Sequence, residues 1–293
     1  MSSSRTRAWC AQVFVAVAAF LIASATFSAD RAALLRDADE AFAKRAKEAE
    51  GIWAQAEPIG SAVSGYRAAL ELAPDDLATR SKLLHAIFFQ AEYHFRDPAQ
   101  RKAAFDQGRR VFEDGLERLS RSVGTDLYKS KAAALPDLLE DQPEAGPFFF
   151  WGALHWGLWG QYFGKMAGLR QGVAKKIRIL GEAAIALAPE FESGGGHRLV
   201  GRLHALAPRV PLVTGWVRRD RGIQLLEEAY RRAPGDPLTR LFLGEVLLEF
   251  RRDRREEGLE LIRSATQMSP RPDKELEDIK AIADARVALQ KLQ

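Results

Sequence analysis

The stretch "LLEEAYRRAPGDPLTRLFLGEVLLEF", Leu225 to Phe250, decides the fold. Its first part closes on alanine, four residues, proline, with Ala229 and Pro234 as the marked pair. Small residues let two helices approach closely, a bulky residue fills the groove between them, and proline cannot continue a helix. After Pro234 a second amphipathic run supplies Leu243, Gly244 and Leu247, so another helix begins at once. The unit is helix, proline turn, helix.

That unit recurs along the chain. Ala69 and Pro74 mark it in "YRAALELAPDD", Ala184 and Pro189 in "GEAAIALAPEF", and Ala265 and Pro270 in "LIRSATQMSPRPD". Three of the four occurrences extend backwards to a small and a bulky residue: Ala62 and Tyr66, Gly222 and Leu226, Gly258 and Ile262. Pro234 and Pro270 are 36 residues apart, close to the period of about 34 of tetratricopeptide repeats. The pattern predicts helices over 31–56 and 59–73, 76–95 and 98–122, 144–164 and 169–188, 194–207 and 219–233, and 236–252 and 255–268. A loop with a short helix fills 124–142, and a helix over 273–291, polar on one face, caps the array. No period-two strand pattern of useful length occurs. The predicted fold is all-α, a tetratricopeptide-like superhelix of about five antiparallel helix pairs plus a C-terminal capping helix.

"GPFFFWGALHWGLWGQYFGK", Gly146 to Lys165, holds three of the six tryptophans and no carboxylate. On length alone it could span a membrane. Its glycines, Gln161 and His155 weaken that reading, and the register of the repeats gives it a helical neighbour on both sides. It reads as the first helix of the third pair. Trp151, His155, Trp159 and Tyr162 follow at steps of four, four and three, so they share one face.

The ends and totals bound the rest. Arg5 and Arg7 precede an uncharged apolar run from Ala11 to about Ala23, followed by Ala23-Ser24-Ala25 and, further on, Ala29. This is the build of a signal peptide over 1–29, cleaved near 25 or 29, with a single helical domain over 30–293 exported to the periplasm. An uncleaved inner-membrane anchor is the other reading of the same segment. Cys10, the one cysteine, lies before the apolar run, where it is not placed for lipidation. The remainder offers no disulfide, thiolate metal site or cysteine nucleophile. The chain carries 43 Lys+Arg against 39 Asp+Glu, and the excess of four falls to two without Arg5 and Arg7. That balance gives no general pull on nucleic acid.

From about Pro147 to the end, the order of features resembles the T-component of TRAP transporters, a family of exported tetratricopeptide-type proteins. "FFFWGALHWGLWG", the junction "LAPEFESGGGHRLVGRLHALAP", "RVPLVTGWVRRDRG", "IQLLEEAYRRAPGDP" and "TRLFLGEVLLEF" carry the resemblance. The junction is its most specific part, and the N-terminal half joins only through Ala62, Tyr66, Ala69 and Pro74. The resemblance implies a periplasmic all-helical accessory protein that associates with the solute-binding subunit of a TRAP-type uptake system. Some members form homo-oligomers and are proposed to hold or pass on hydrophobic small molecules. The lipid-bearing cysteine of some members has no counterpart here. A general envelope scaffold for protein–protein contacts, without a transport role, is the alternative.

Candidate chemistry is sparse. His197 and His204 are seven residues apart, two helical turns on one face, too far to ligate one ion alone. "ESGGGH" lacks the preceding strand and following lysine of a phosphate loop, so its glycines read as tight packing, with Ser193 as helix N-cap. No nucleophile elbow occurs, and Glu256 and Glu257 sit in a charged run that reads as solvated surface. No cofactor, metal or catalytic set is expected. Two features remain as candidate binding surfaces. Trp151, His155, Trp159 and Tyr162 form either a packed core face or a concave ligand or partner site. Arg218, Arg219, Arg221, Arg251, Arg252, Arg254 and Arg255, from two turns in register, form an edge suited to an anionic partner, since guanidinium forks match carboxylates and phosphates.

Overall fold

Asp76, Asp97 and Asp236 each precede a helix, and each side chain accepts a backbone N–H two residues on. Such caps satisfy donors that a helix start leaves bare. The computed structural model describes residues 28–211 and 213–292. The segment read as a signal peptide, up to residue 27, lies outside them, as does Cys10.

The described residues form thirteen α-helices and no strand beyond an isolated Glu50–Trp53 bridge. They are α1 (28–43), α2 (Ala56–Leu72), α3 (Leu77–Tyr93), α4 (Pro98–Ser122), α5 (Leu135–Leu138), α6 (Ala145–Phe163) and α7 (Lys165–Arg170). After these come α8 (Val173–Leu187), α9 (Phe191–Leu206), α10 (Arg219–Arg232), α11 (Pro237–Phe250), α12 (Arg255–Thr266) and α13 (Glu275–Gln290). The pairs α3/α4, α6/α8, α9/α10 and α11/α12 pack together, and neighbouring pairs stack. Tyr66 of α2 donates to Asp39 of α1 at 2.7 Å, joining the first pair. The architecture is the expected all-α stack of five pairs with a terminal helix.

The repeat is written more deeply than its prolines. "APDDLATR" at 73–80 and "APGDPLTR" at 233–240 build the same turn. Asp76 accepts from Arg31 of α1 and from the Thr79 hydroxyl. Asp236 accepts from Arg198 of α9, which also bonds Thr239. In both turns the final arginine bonds back to the proline carbonyl, Arg80 to Pro74 at 2.6 Å and Arg240 to Pro234 at 2.8 Å.

Two helix boundaries differ from the sequence reading. The first helix stops at 43 rather than 56, although "AKRAKEAE" favours a helix. Glu48 and Gly51 have positive φ, and Ala54 N–H donates to the Tyr93 carbonyl at 2.6 Å, so tertiary pairing takes this segment out of the helix. The helix expected over 169–188 is broken at Gly172, φ 62°, into α7 and α8.

Helix α6 is apolar all round because it is enclosed by α3, α4, α8 and α9. Phe148 packs on Phe112 at 4.7 Å, and Trp156 is 1% exposed. No helix of the described residues is long and apolar enough to cross a membrane.

Helix α13 does more than cap the last pair. Ala285, in its second half, packs with Leu241, Ile262 and Ala265 of α11 and α12. Leu276, in its first turn, belongs to the N-terminal core with Ala38, Tyr66 and Phe89. Arg45, just after α1, donates to the Asp273 carbonyl at 2.5 Å. The last helix therefore ties the C-terminal pairs to the first ones.

Candidate functional site

The four aromatic-face residues of α6 do lie together, and α3 and α4 take them up. Trp151 stacks on His85 at 4.1 Å and meets Phe88, Phe150 and Phe191. His155 is fully buried. Its Nε2–H donates to the Leu84 carbonyl at 2.9 Å, since a carbonyl can only accept. Burial lowers its pKa to about 4, against the smaller opposing effect of that hydrogen bond. Trp159 donates to Asp106 at 2.9 Å and stacks on Phe163. The Tyr162 hydroxyl accepts from Arg101 at 3.3 Å. Three of these side chains are buried and Tyr162 is half-buried.

The glycine junction has a packing reason on three sides. A Cβ on Gly195 would lie 2.6 Å from Phe150 of α6, one on Gly196 3.0 Å from Ile185 of α8, and one on Gly194 3.3 Å from Ala229 of α10. Glu192, Ser193 and Gly194 are all left-handed, with φ 50°, 57° and 72°. Ser193 therefore does not cap α9 through its side chain; its hydroxyl accepts from Arg271 instead, at 3.2 Å. Lys274 holds the Glu192 carboxylate at 2.7 and 2.5 Å. Two non-glycine residues in this region cost about 1–3 kcal/mol each, offset here by ties to α13. His197 and His204 are buried nearby, and burial lowers both pKa values. The Nδ1 of His204 accepts from the Arg218 N–H at 3.2 Å, which fixes its tautomer. Among the described residues no three His, Cys, Asp or Glu side chains converge as a metal set.

The two arginine turns meet as their register predicts. Arg219 lies over the Phe250 ring at 4.6 Å, and Arg254 reaches Glu227 of α10 at 2.5 Å. Much of the charge is answered locally: Arg251 binds Asp253, Arg254 binds Glu257, and Arg218 donates to the Gly215 and Val217 carbonyls. Arg221, Arg252 and Arg255 remain exposed.

Arg255 also borders an opening that the sequence did not reveal. A cleft of about 670 Å³ runs between α9, α11, α12 and the end of α13. Its apolar lining includes Leu206, Phe242, Leu248, Val287 and Leu292. Leu206, Val287 and Leu292 are 42%, 48% and 38% exposed, unusual for side chains of this size in one patch. Arg202 covers the Phe242 ring at 3.9 Å and pairs with Glu245 at 2.6 Å, while Arg255, Glu249, Asp284 and Lys291 complete a charged rim. Three of its four walls are α9 and α11, the first helices of their pairs, and the closing helix α13. Val287 sits on a helix that sequence patterning assigns only as a cap, so the signal for the cleft lay in three-dimensional placement.

No model of a known protein family matches the chain, and no curated protein matches it in sequence. The cleft, the junction and the arginine turns thus stand on their own geometry.

Proposed function

We propose that this protein is a non-enzymatic, periplasmic helical-repeat accessory protein that docks the solute-binding subunit of a TRAP-type transporter. The observation that carries the docking role is the cleft between α9, α11 and α13, with three exposed apolar side chains inside a charged rim. An apolar centre with a polar border is the anatomy of a protein-binding surface. The same lining suits a hydrophobic small molecule presented to or received from that subunit. The choice of partner rests on the resemblance centred on the junction at 187–208. That junction is where α6, α8, α10 and the segment leading into α13 meet.

A crosslinked pull-down from the native periplasm, read by mass spectrometry, tests this reading. The expected result is enrichment of a TRAP solute-binding protein by the native chain, reduced at least tenfold by Leu206→Glu with Val287→Glu. Both positions are exposed, so the variant should unfold at the native temperature. A solute-binding protein that is expressed but not enriched removes the transport reading. Enrichment of envelope proteins lost in the same variant instead assigns the cleft to a general scaffold.

A further inference from the structure

The seven exposed large apolar side chains of the described residues fall into two groups. Three line the cleft. The other four are Met166 (63% exposed), Leu169 (52%), Val210 and Val213 (43% each), and they lie at one end of the stack. Chain topology puts them there: α6 and α8 are an adjacent pair joined through α7, and α9 and α10 are the next pair, joined through 207–218. Alternating antiparallel helices bring both connections to the same end. Trp216 confirms the proximity, since Arg178, in the N-terminal half of α8, lies over its ring at 4.4 Å.

The 207–218 connection is built to display its valines. Thr214 is buried; its hydroxyl donates to the Pro208 carbonyl and accepts the Val210 N–H at 2.8 Å. Thr214 N–H closes on the Val210 carbonyl at 2.8 Å, and Trp216 Nε1–H on the Val213 carbonyl at 3.1 Å. Met166 and Leu169 are three apart on α7 and share a face. These hydrogen bonds hold the connection while its large apolar side chains stay exposed.

The two segments that carry them have charge of one sign. No carboxylate occurs from Ala145 to Gly181 or from Gly194 to Arg219. Lys176, Arg198 and Arg202 in these stretches turn inward to Glu113, Asp236 and Glu245. Lys165, Arg170, Lys175, Arg209 and Arg218 are exposed and form no ion pair among the described residues. Neighbouring connections at this end do carry carboxylates, Asp97 before α4 and Asp253 between α11 and α12, the latter paired with Arg251, so the carboxylate-free surface is confined to α7, the start of α8 and 207–218. The helices between the two ends run 12 to 25 residues, about 18 Å or more, beyond the screening length of about 8 Å, so charges at the opposite end do not act on this patch.

We propose that the end formed by α7 and the 207–218 connection docks on an anionic phospholipid bilayer. The four apolar side chains enter the headgroup boundary, and the exposed lysines and arginines face lipid phosphates. Exposed apolar side chains on the same two segments as unpaired cations fit that surface, because the former have an apolar layer to enter and each cation a phosphate to meet. None of the docking residues lines the cleft, and the docking does not depend on which protein the cleft binds.

The test uses the full chain with Cys10→Ala and a polarity-sensitive thiol probe at Leu169→Cys, Val213→Cys or, at the opposite end, Asp75→Cys. Vesicles of phosphatidylethanolamine with phosphatidylglycerol are compared with phosphatidylcholine alone. The expected result is a blue shift and quenching by brominated acyl chains at 169 and 213 on phosphatidylglycerol vesicles, with no change at 75. Arg170→Glu with Arg209→Glu should weaken vesicle binding at least tenfold, at about fivefold per cation removed, with an unchanged far-UV spectrum. Equal responses at all three positions, responses that ignore lipid charge, or no response on any vesicle would each overturn the proposal. So would a response at 169 and 213 to a purified protein partner alone.

Discussion

Arg198 of α9 reaches Asp236 at the start of α11 with 2.8 Å between Nη1 and Oδ2, the two side chains being 11% and 3% exposed. The other carboxylate oxygen accepts the Leu238 and Thr239 N–H groups at 2.9 and 3.2 Å. One side chain therefore caps a helix and neutralises a cation from the preceding pair. Asp236→Ala leaves Arg198 buried and unanswered, and a loss of about 3–5 kcal/mol is expected. Asp76 plays the same part for Arg31, but those side chains are 24% and 29% exposed. Asp76→Ala should cost only about 1–2 kcal/mol, mostly the cap. Denaturant unfolding of both variants checks the order; equal losses would show that burial does not set the difference.

The imidazole of His155 makes acid stability predictable in sign. Its folded pKa of about 4 lies below the ordinary 6.5, so the unfolded chain binds the proton first as pH falls. The contribution is complete above pH 6.5 and is lost between about 6.5 and 4, amounting to about 3 kcal/mol. Burial also lowers the pKa values of His85, His197 and His204, which act with the same sign. His155→Gln keeps a donor for Leu84 without the titration. Its melting temperature should fall less steeply from pH 7 to pH 5 than that of the native chain. A parallel slope would mean that His155 does not titrate in the unfolding transition.

Much of this architecture was legible because helix-ending prolines and small residues obey local rules. Ala229, Pro234 and Gly244 locate a turn and a close crossing whatever surrounds them. The end of α1 was not legible, since "AKRAKEAE" has helical propensity and only the Ala54–Tyr93 hydrogen bond explains the departure. The α6 face was placed correctly as a face, yet which neighbour covers Trp151 depends on His85, 66 residues away. The cleft was out of reach for the same reason: Leu206 and Val287 are unremarkable until α13 brings them together. Arginine register survived into the structure, but the local pairing of Arg251 with Asp253 is a side-chain choice that spacing does not fix.

Trp151 distinguishes a core face from a ligand site. It is 3% exposed and packed between His85 and Phe150. Trp151→Ala should destabilise by about 3–5 kcal/mol through lost burial and a cavity. Thermal and denaturant unfolding measure it. A variant that unfolds like the native chain but binds its partner poorly would move the site to α6.

Gly222 shows where the repeat tolerates no side chain. A Cβ there would lie 2.6 Å from the Ala205 nitrogen and 2.8 Å from the Gly201 carbonyl, both backbone atoms of α9. Backbone cannot rotate aside, so α9 and α10 must part. Gly222→Ala should cost about 1–3 kcal/mol or more despite its better helix propensity. Gly235 has nothing within 4 Å of its Cβ position, and Gly235→Ala should be nearly neutral. Comparing their midpoints in urea separates close packing from a generic glycine effect.

Asp278 holds the turn that carries α13 back to the first pairs. It is 1% exposed and accepts from the Arg271 N–H at 2.9 Å, Nε at 2.7 Å and Nη2 at 2.7 Å. The same guanidinium bonds Ser193 in the strained junction, and Lys274 holds Glu192 beside it. Hydrogen bonds to a charged group contribute about 1.5–3 kcal/mol each way of measuring, and three converge here on one carboxylate. Asp278→Ala should therefore release the first turns of α13 while Ala285 and Leu289 stay packed on α11 and α12. Amide exchange in 28–43 and 275–282 should quicken at least tenfold, with α11 and α12 little changed. Val287 lies between Ala285 and Leu289, on the part of the helix that stays packed, so partner affinity at the cleft should be little changed in this variant. Unchanged exchange in 28–43 would mean that burial of Leu276 alone keeps the last helix on the first pair.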